Sequence, residues 1–224
     1  MLINKVNLAS NSLAKTKAFY LNRLGAKLLG ETPNSFSIKI GASELIFTEA
    51  NSGSKPFYHL AFNIPSNQFN EAKKWITART PLNREEGVDE VYFSHIHAHS
   101  LYFTDPSHNV VEFIARHSIA SESNEPFSMN SLLNIGEINL TTPDVEGVGQ
   151  QLINKDIPIR DDESLNPDGL TFMGSEGAFL LLGKPGRRWI FSEQYAEIHP
   201  LMIEVDFKTR IIQDGAGETR ISKT

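Results

Sequence analysis

The chain has 224 residues, 40% of them apolar and 21% charged, which is enough to bury a sizeable core and excludes a wholly disordered chain. Its 21 Lys and Arg against 27 Asp and Glu give a formal net charge of −6, which argues against a nucleic-acid or membrane-surface binder, since those need a basic face. With no Cys, disulfides, thiolate zinc sites and Cys nucleophiles are excluded. The opening MLINKVNLAS lacks the apolar run of a signal peptide, and no stretch approaches the ~18 apolar residues of a membrane span. The expectation is a soluble, cytoplasmic protein.

In chain order, three segments follow one plan. Lys5-Val6-Asn7-Leu8 reads as a strand leading into NSLAKTKAFYLNRLG, an amphipathic helix that Ser12 or Asn11 can cap and Gly25 can close. SFSIKI and ELIFTE then alternate as strands, parted at Gly41. His59-Leu60-Ala61-Phe62 leads into SNQFNEAKKWITART, where Phe69, Ala72 and Ile76 form the apolar stripe. VYFSHIHAHSLYF and VVEFIAR follow, separated by the turn residues Asp105-Pro106-Ser107-His108-Asn109. Glu137-Ile138-Asn139-Leu140 leads into PDVEGVGQQLINKD, striped by Val145, Val148 and Leu152, and then LTFMG and AFLLLG. A further strand-like run, His199 to Val205, opens a fourth unit, but KTRIIQDGAGETRISKT behind it has no helical stripe.

The expected fold class is therefore α+β, built from tandem strand-helix-three-strand units (βαβββ modules). The expected boundaries are two paired modules over 1–117, a polar linker over 118–131, a third module with the start of a truncated fourth over 132–207, and a loose tail over 208–224.

Phe19-Tyr20 through Leu24-Gly25 in the first helix, and Tyr102-Phe103-x-Asp105-Pro106-x-x-Asn109-x-x-Glu112 closing the second unit, resemble the vicinal oxygen chelate superfamily. That group includes glyoxalases, extradiol ring-cleaving dioxygenases and bleomycin-resistance proteins. The resemblance is full over about residues 1–117 and weaker over 132–207. One departure is His108, where the family usually has Gly, at a turn position that favours φ > 0. The resemblance implies that two modules pair into a curved-sheet cup holding a divalent metal. Its ligands would be a His on the first strand of each module and a Glu on the last strand of the second. Carried over residue by residue, His59 and Glu112 fall on two of these positions. Lys5 falls on the third and cannot be a ligand while protonated. The resemblance also turns Tyr102 toward the cavity, where it would donate to a substrate oxygen or act as a general acid.

The residues bear their own reading. Alternation puts Leu60, Phe62 and Ile64 on one face of their strand and His59, Ala61 and Asn63 on the other, which suits a cavity. The plainer reading of His59 is a ring satisfied by a carbonyl or water. Glu112, flanked by apolar residues, must be paired, hydrated or metal-bound if buried, and otherwise lies on an exposed edge. Six of the seven His fall between residues 59 and 117, so His97 or His99 is the candidate third ligand, and His99 otherwise a substrate contact. In a regular strand His95, His97 and His99 oppose Tyr102, and both sets line one cup only across a bulge. Lys5 and Asn7 take the inward positions of the first strand, where Lys5 either binds an anionic substrate group or snorkels to solvent. Glu137 and His199 repeat the first-ligand position in the later units, but the missing closing strand of the fourth argues against a second metal site.

Two functions follow as expectations. The first is a metal-dependent enzyme of the glyoxalase and dioxygenase group, using Fe, Zn, Mn or Ni on a small oxygen-rich substrate. The second is a metal-free sequestering protein of the bleomycin-resistance kind, its cup lined by Lys5, Asn7, His59 and Tyr102. The expected partner is a small molecule, with no nucleic acid and no membrane, and the truncated fourth unit suits a homodimer.

Overall fold

Strands form wherever the period-two pattern can bury one face, and each such run opens a unit. The structure, a computed structural model, describes residues 1–224 apart from the side chain of Asp162. The first unit is β1 (Ile3–Ser10), α1 (Leu13–Ala18) continued by a π-helical turn (Phe19–Arg23), then β2 (Leu28–Thr32), β3 (Ser35–Ile40) and β4 (Ser43–Glu49). The second is β5 (His59–Ile64), α2 (Phe69–Thr77), β6 (Val91–Phe93), β7 (Ala98–Thr104) and β8 (Val110–Arg116). The third is β9 (Asn134–Thr141), α3 (Val145–Ile153), β10 (Leu170–Ser175) and β11 (Ala178–Gly183). A last group comprises β12 (Leu201–Val205), β13 (Thr209–Gln213) and β14 (Thr219–Lys223). The fold is α+β, as the unit plan requires. In each helical unit the first strand runs parallel to the last, and the helix crosses over to bury its stripe. α2 buries Phe69, Ala72 and Ile76, and α3 buries Val145, Val148 and Leu152. Each fully buried large apolar side chain contributes about 1.5–3 kcal/mol. No helix among the described residues is long and apolar enough to cross a membrane.

The expectation that the first two units pair into the cup is overturned by the strand pairing. β5 lies antiparallel to β9, joining the second unit to the third. β1 lies antiparallel to β12, joining the first unit to the last group, and meets β9 only at Ile3 opposite Ile135. Among the described residues one sheet runs β14-β13-β12-β1-β9-β5-β8-β7-β6, with β4-β3-β2 branching from β1 and β11-β10 from β9. The first and second units meet through side chains instead. Tyr20 Oη donates to Asp105 Oδ2 at 3.1 Å, and the hydroxyls of Ser10 and Thr16 bond Ser107. Asp105 in turn accepts from the backbone N–H groups of Ser107 and Asn109. The Asp-Pro-x-x-Asn signature thus builds a turn, and His108 takes the left-handed φ of 66° in place of the usual Gly.

The loose tail expected over 208–224 is also corrected. Asp206 and Phe207 both have positive φ, the geometry of a tight hairpin turn, so β12 returns directly as β13 with no helix between. Thr209, Ile211 and Gln213 alternate inward, and β14 closes the edge. The polar stretch 118–131 is tied down as well: Ser66 N–H donates to Ser121 O, while Phe127 and Met129 enter the core.

Candidate metal centre

The junction of β5 and β9 is irregular, and the irregularity makes the site. Ala61 pairs with Glu137 but Phe62 pairs with Ile135, so Gly136 is extra. A bulge of this kind re-aims the neighbouring side chain. Ile135 and Ile138 then both face the core, while Glu137 turns to the other face. Gly136 permits the close approach: an added Cβ would lie 2.7 Å from Asn63 Oδ1.

Across the junction His59 Nε2 lies 3.5 Å from Glu112 Oε2 and 3.9 Å from Glu137 Oε2. All three residues are at most 5% exposed, and one ligand atom from each lies within 4.8 Å of the others. Val110 O can only accept, so the His59 Nδ1–H donates to it at 3.1 Å. His59 Nε2 then faces oxygens of two carboxylates, so three donor atoms of metal-ligating type converge on one point. Arg116 pairs with the other oxygen of Glu137, and its Nε donates to Asn63 Oδ1 at 3.2 Å. Burial and the charge of Glu137 push the Glu112 carboxyl up to about 7. Burial also works against ionised Glu137, but His59 and Arg116 outweigh it and hold that carboxyl below its usual range. One His and two carboxylates form a donor set whose chemistry suits zinc, manganese or iron. The residues fit a divalent metal.

These side chains stand in the wall of a cavity of about 420 Å³. Tyr102, opposite Glu112 in the β7–β8 ladder, lines it too. Burial first, and then the charges of Glu112 and Glu137, raise its pKa well above the ordinary value, so the phenol keeps its proton. A strap over residues 184–199 closes one side. Within it Trp189 N–H donates to Gln194 O, and the chain turns at Phe191, whose φ is 54°. Trp189 stacks on the His59 ring at 4.8 Å between centroids, and Phe191 on Tyr102 at 4.9 Å. Glu85 clasps the strap, pairing with Arg188 and accepting from Phe191 N–H at 2.5 Å.

The structure brings together His59, Glu112 and Tyr102 of the residues singled out in the sequence, and places the others elsewhere. Lys5 pairs with Glu44 at 3.1 Å, and Asn7 accepts from Thr48, both on the half formed by the first and last units. His97 adopts φ 49° and bonds Ser118 Oγ at 3.0 Å, outside the cavity lining. His99 points to the helix side, against Phe69 and His117. The strand expected through this run is broken by a helical turn (Ser94–Ile96), which sends His95 alone into the cavity while β7 stays regular. His199 packs on Phe57 and Tyr58, away from the cluster. The candidate ligand that the sequence reading set aside is Glu137. Its place at the first-ligand position of the third unit was the available signal, and the wrong choice of partner unit hid it.

Residues 2–113 match the sequence profile of the Glyoxalase/Bleomycin resistance protein/Dioxygenase superfamily, half of the chain. Residues 135–187 match that of the toxoflavin-degrading enzyme. No curated protein matches the chain. Among solved structures, a "putative dioxygenase" from Bacillus subtilis shares 13% identity at a TM-score of 0.55, with 81% of this chain and 63% of its own covered. Lactoylglutathione lyase from Agrobacterium tumefaciens shares 21% identity over 50% of this chain and 91% of its own, at a TM-score of 0.42. The fosfomycin resistance protein of Listeria monocytogenes, complexed with Mn(II) and sulfate, shares 21% over 56% and 93%, at 0.38. With its repeated βαβββ units and this profile match, the chain belongs to the glyoxalase, bleomycin resistance protein and dioxygenase superfamily.

Proposed function

We propose that the protein is a metal-dependent enzyme of the glyoxalase and dioxygenase kind, acting on a small oxygen-rich molecule. The observation that carries this reading is the convergence of His59, Glu112 and Glu137, all buried, on one cavity wall. Those three residues would hold a divalent ion, one of Fe, Zn, Mn or Ni. When bound, such an ion supplies Lewis-acid polarisation of substrate oxygens. Arg116 fixes the Glu137 carboxylate, and the Val110 carbonyl fixes the His59 ring. Tyr102 keeps a proton to donate to a substrate oxygen, and Trp189 covers one face of the His59 ring. The profile match over 135–187 includes Glu137 and much of the cavity wall, which makes toxoflavin the first compound to offer.

The test is metal content by mass spectrometry on wild type, His59→Ala and Glu137→Gln, with toxoflavin consumption followed alongside. Near-stoichiometric metal in wild type, lost in both variants together with turnover, is the expected outcome. Absence of metal after incubation with each ion overturns it. A metal-free sequestering cup of the bleomycin-resistance type is favoured by one observation, the charge of Arg116 already set against Glu137. Glu112→Gln separates the two readings, because a sequestering cup keeps its ligand while the enzyme loses metal and turnover.

A further inference from the structure

The two arginines of the cavity wall are differently employed. Arg160 lies over Phe172 with Cζ 4.3 Å from the ring centroid, and its guanidinium meets Glu163 Oε1 at 3.2 Å and Asp161 Oδ2 at 3.6 Å. Arg187 is exposed at the rim of the cavity and has no ion pair and no side-chain hydrogen bond among the described residues. Arg187 and Trp189, two residues apart on the strap, both line the cavity, whereas Arg188 between them is taken by Glu85. Arg187 Cζ lies 5.8 Å from the Trp189 centroid, and the same indole stacks on His59. One flat side chain therefore runs from the candidate metal centre to an unpaired cation at the cavity mouth. The cavity lining also includes Phe93, Phe172, Leu181 and Ile190, which offer apolar faces for a flat ligand.

We propose that Arg187 is the anion-binding arm of this site, and that its ligand is a flat small molecule bearing a carboxylate at the end remote from His59, Glu112 and Glu137. A guanidinium presents a planar fork that matches a carboxylate. The inference rests on reading the three-residue cluster as a metal centre that grips the other end of the ligand.

Protocatechuate and catechol serve as probes, since they share adjacent hydroxyls and differ by one carboxylate opposite them. Both are titrated by calorimetry into wild type, Arg187→Gln, Arg187→Lys and Glu137→Gln, with and without added Mn(II). The expected result is roughly tenfold tighter binding of protocatechuate by wild type, the worth of one charged contact at a half-open mouth. Arg187→Gln erases that ratio and leaves catechol unchanged, and Arg187→Lys restores part of it. Equal binding of the two probes by wild type, no binding of protocatechuate, or an unchanged ratio in Arg187→Gln overturns the proposal. If both affinities are indifferent to Mn(II) and to Glu137→Gln, the metal-centre reading fails, while the ratio still decides the role of Arg187.

Discussion

The two halves of the sheet are joined alike, first strand against first strand, yet they handle charge differently. At β1 and β12 every carboxylate has a cation or amide partner: Lys5 pairs with Glu44 at 3.1 Å, each about a third exposed, and the buried Glu204 meets exposed Arg210 at 3.3 Å and Asn4 at 3.0 Å. At β5 and β9 two buried carboxylates, one guanidinium and one imidazole crowd together in an apolar wall, and burial with the charge of Glu137 pushes the Glu112 carboxyl up to about 7. Among the described residues only this half gathers three metal-type donors. The difference teaches that the module repeat supplies a frame. A candidate site arises where the frame gathers buried ionisable groups whose pKa values are pushed apart.

Removing a donor should separate the halves most sharply. Glu137→Gln is expected to cost about a hundredfold or more in Mn(II) affinity by calorimetry, because even outer-shell partners are worth 10–100-fold. Lys5→Ala should change nothing, and equal losses would break the comparison. Next comes the buried pair. Arg116→Gln leaves Glu137 without its cation and should lower unfolding free energy in urea by about 3–5 kcal/mol, with part recovered when Mn(II) is added. Lys5→Gln, which breaks the exposed pair, should cost at most about 1 kcal/mol. A smaller effect is expected at the clasp. Glu85→Gln weakens two contacts of the strap and should raise amide exchange across 186–196 while the first-unit strands keep their protection.

The smallest expected effect is in the acid response. Burial, and then His117, lower the His99 pKa below 6.5. The unfolded chain therefore binds more protons than the folded one as pH falls below 6.5, and stability should decline there. His99→Asn should flatten that slope, and an unchanged slope would remove His99 as its source.

Much of this was legible along the chain. Alternation around His59 named the face that looks into the cavity, and the apolar neighbours of Glu112 forced a choice between pairing and metal. The helix stripes at Phe69, Ala72 and Ile76, and at Val145, Val148 and Leu152, predicted the buried faces observed. The His run misled, because a helical turn at Ser94–Ile96 resets the phase and puts His95 and His99 in different environments. Strand periodicity carries no warning of such a reset. The strands at 209–213 and 219–223 were not legible because the hairpin that leads into them turns at Asp206 and Phe207, which take positive φ without a glycine to mark the turn.

The sequence by itself determined the α+β class, the units and the inward faces of their strands, because side-chain alternation and helical stripes are local and decide what each element must bury. Only the tertiary structure decided that β5 meets β9 and β1 meets β12. Backbone N–H and C=O groups pair alike whatever side chains flank them, so a strand's pattern fixes its face but not its partner. That choice of partner, with the bulge at Gly136, brought Glu137 to His59 and Glu112, and left Lys5 with Glu44.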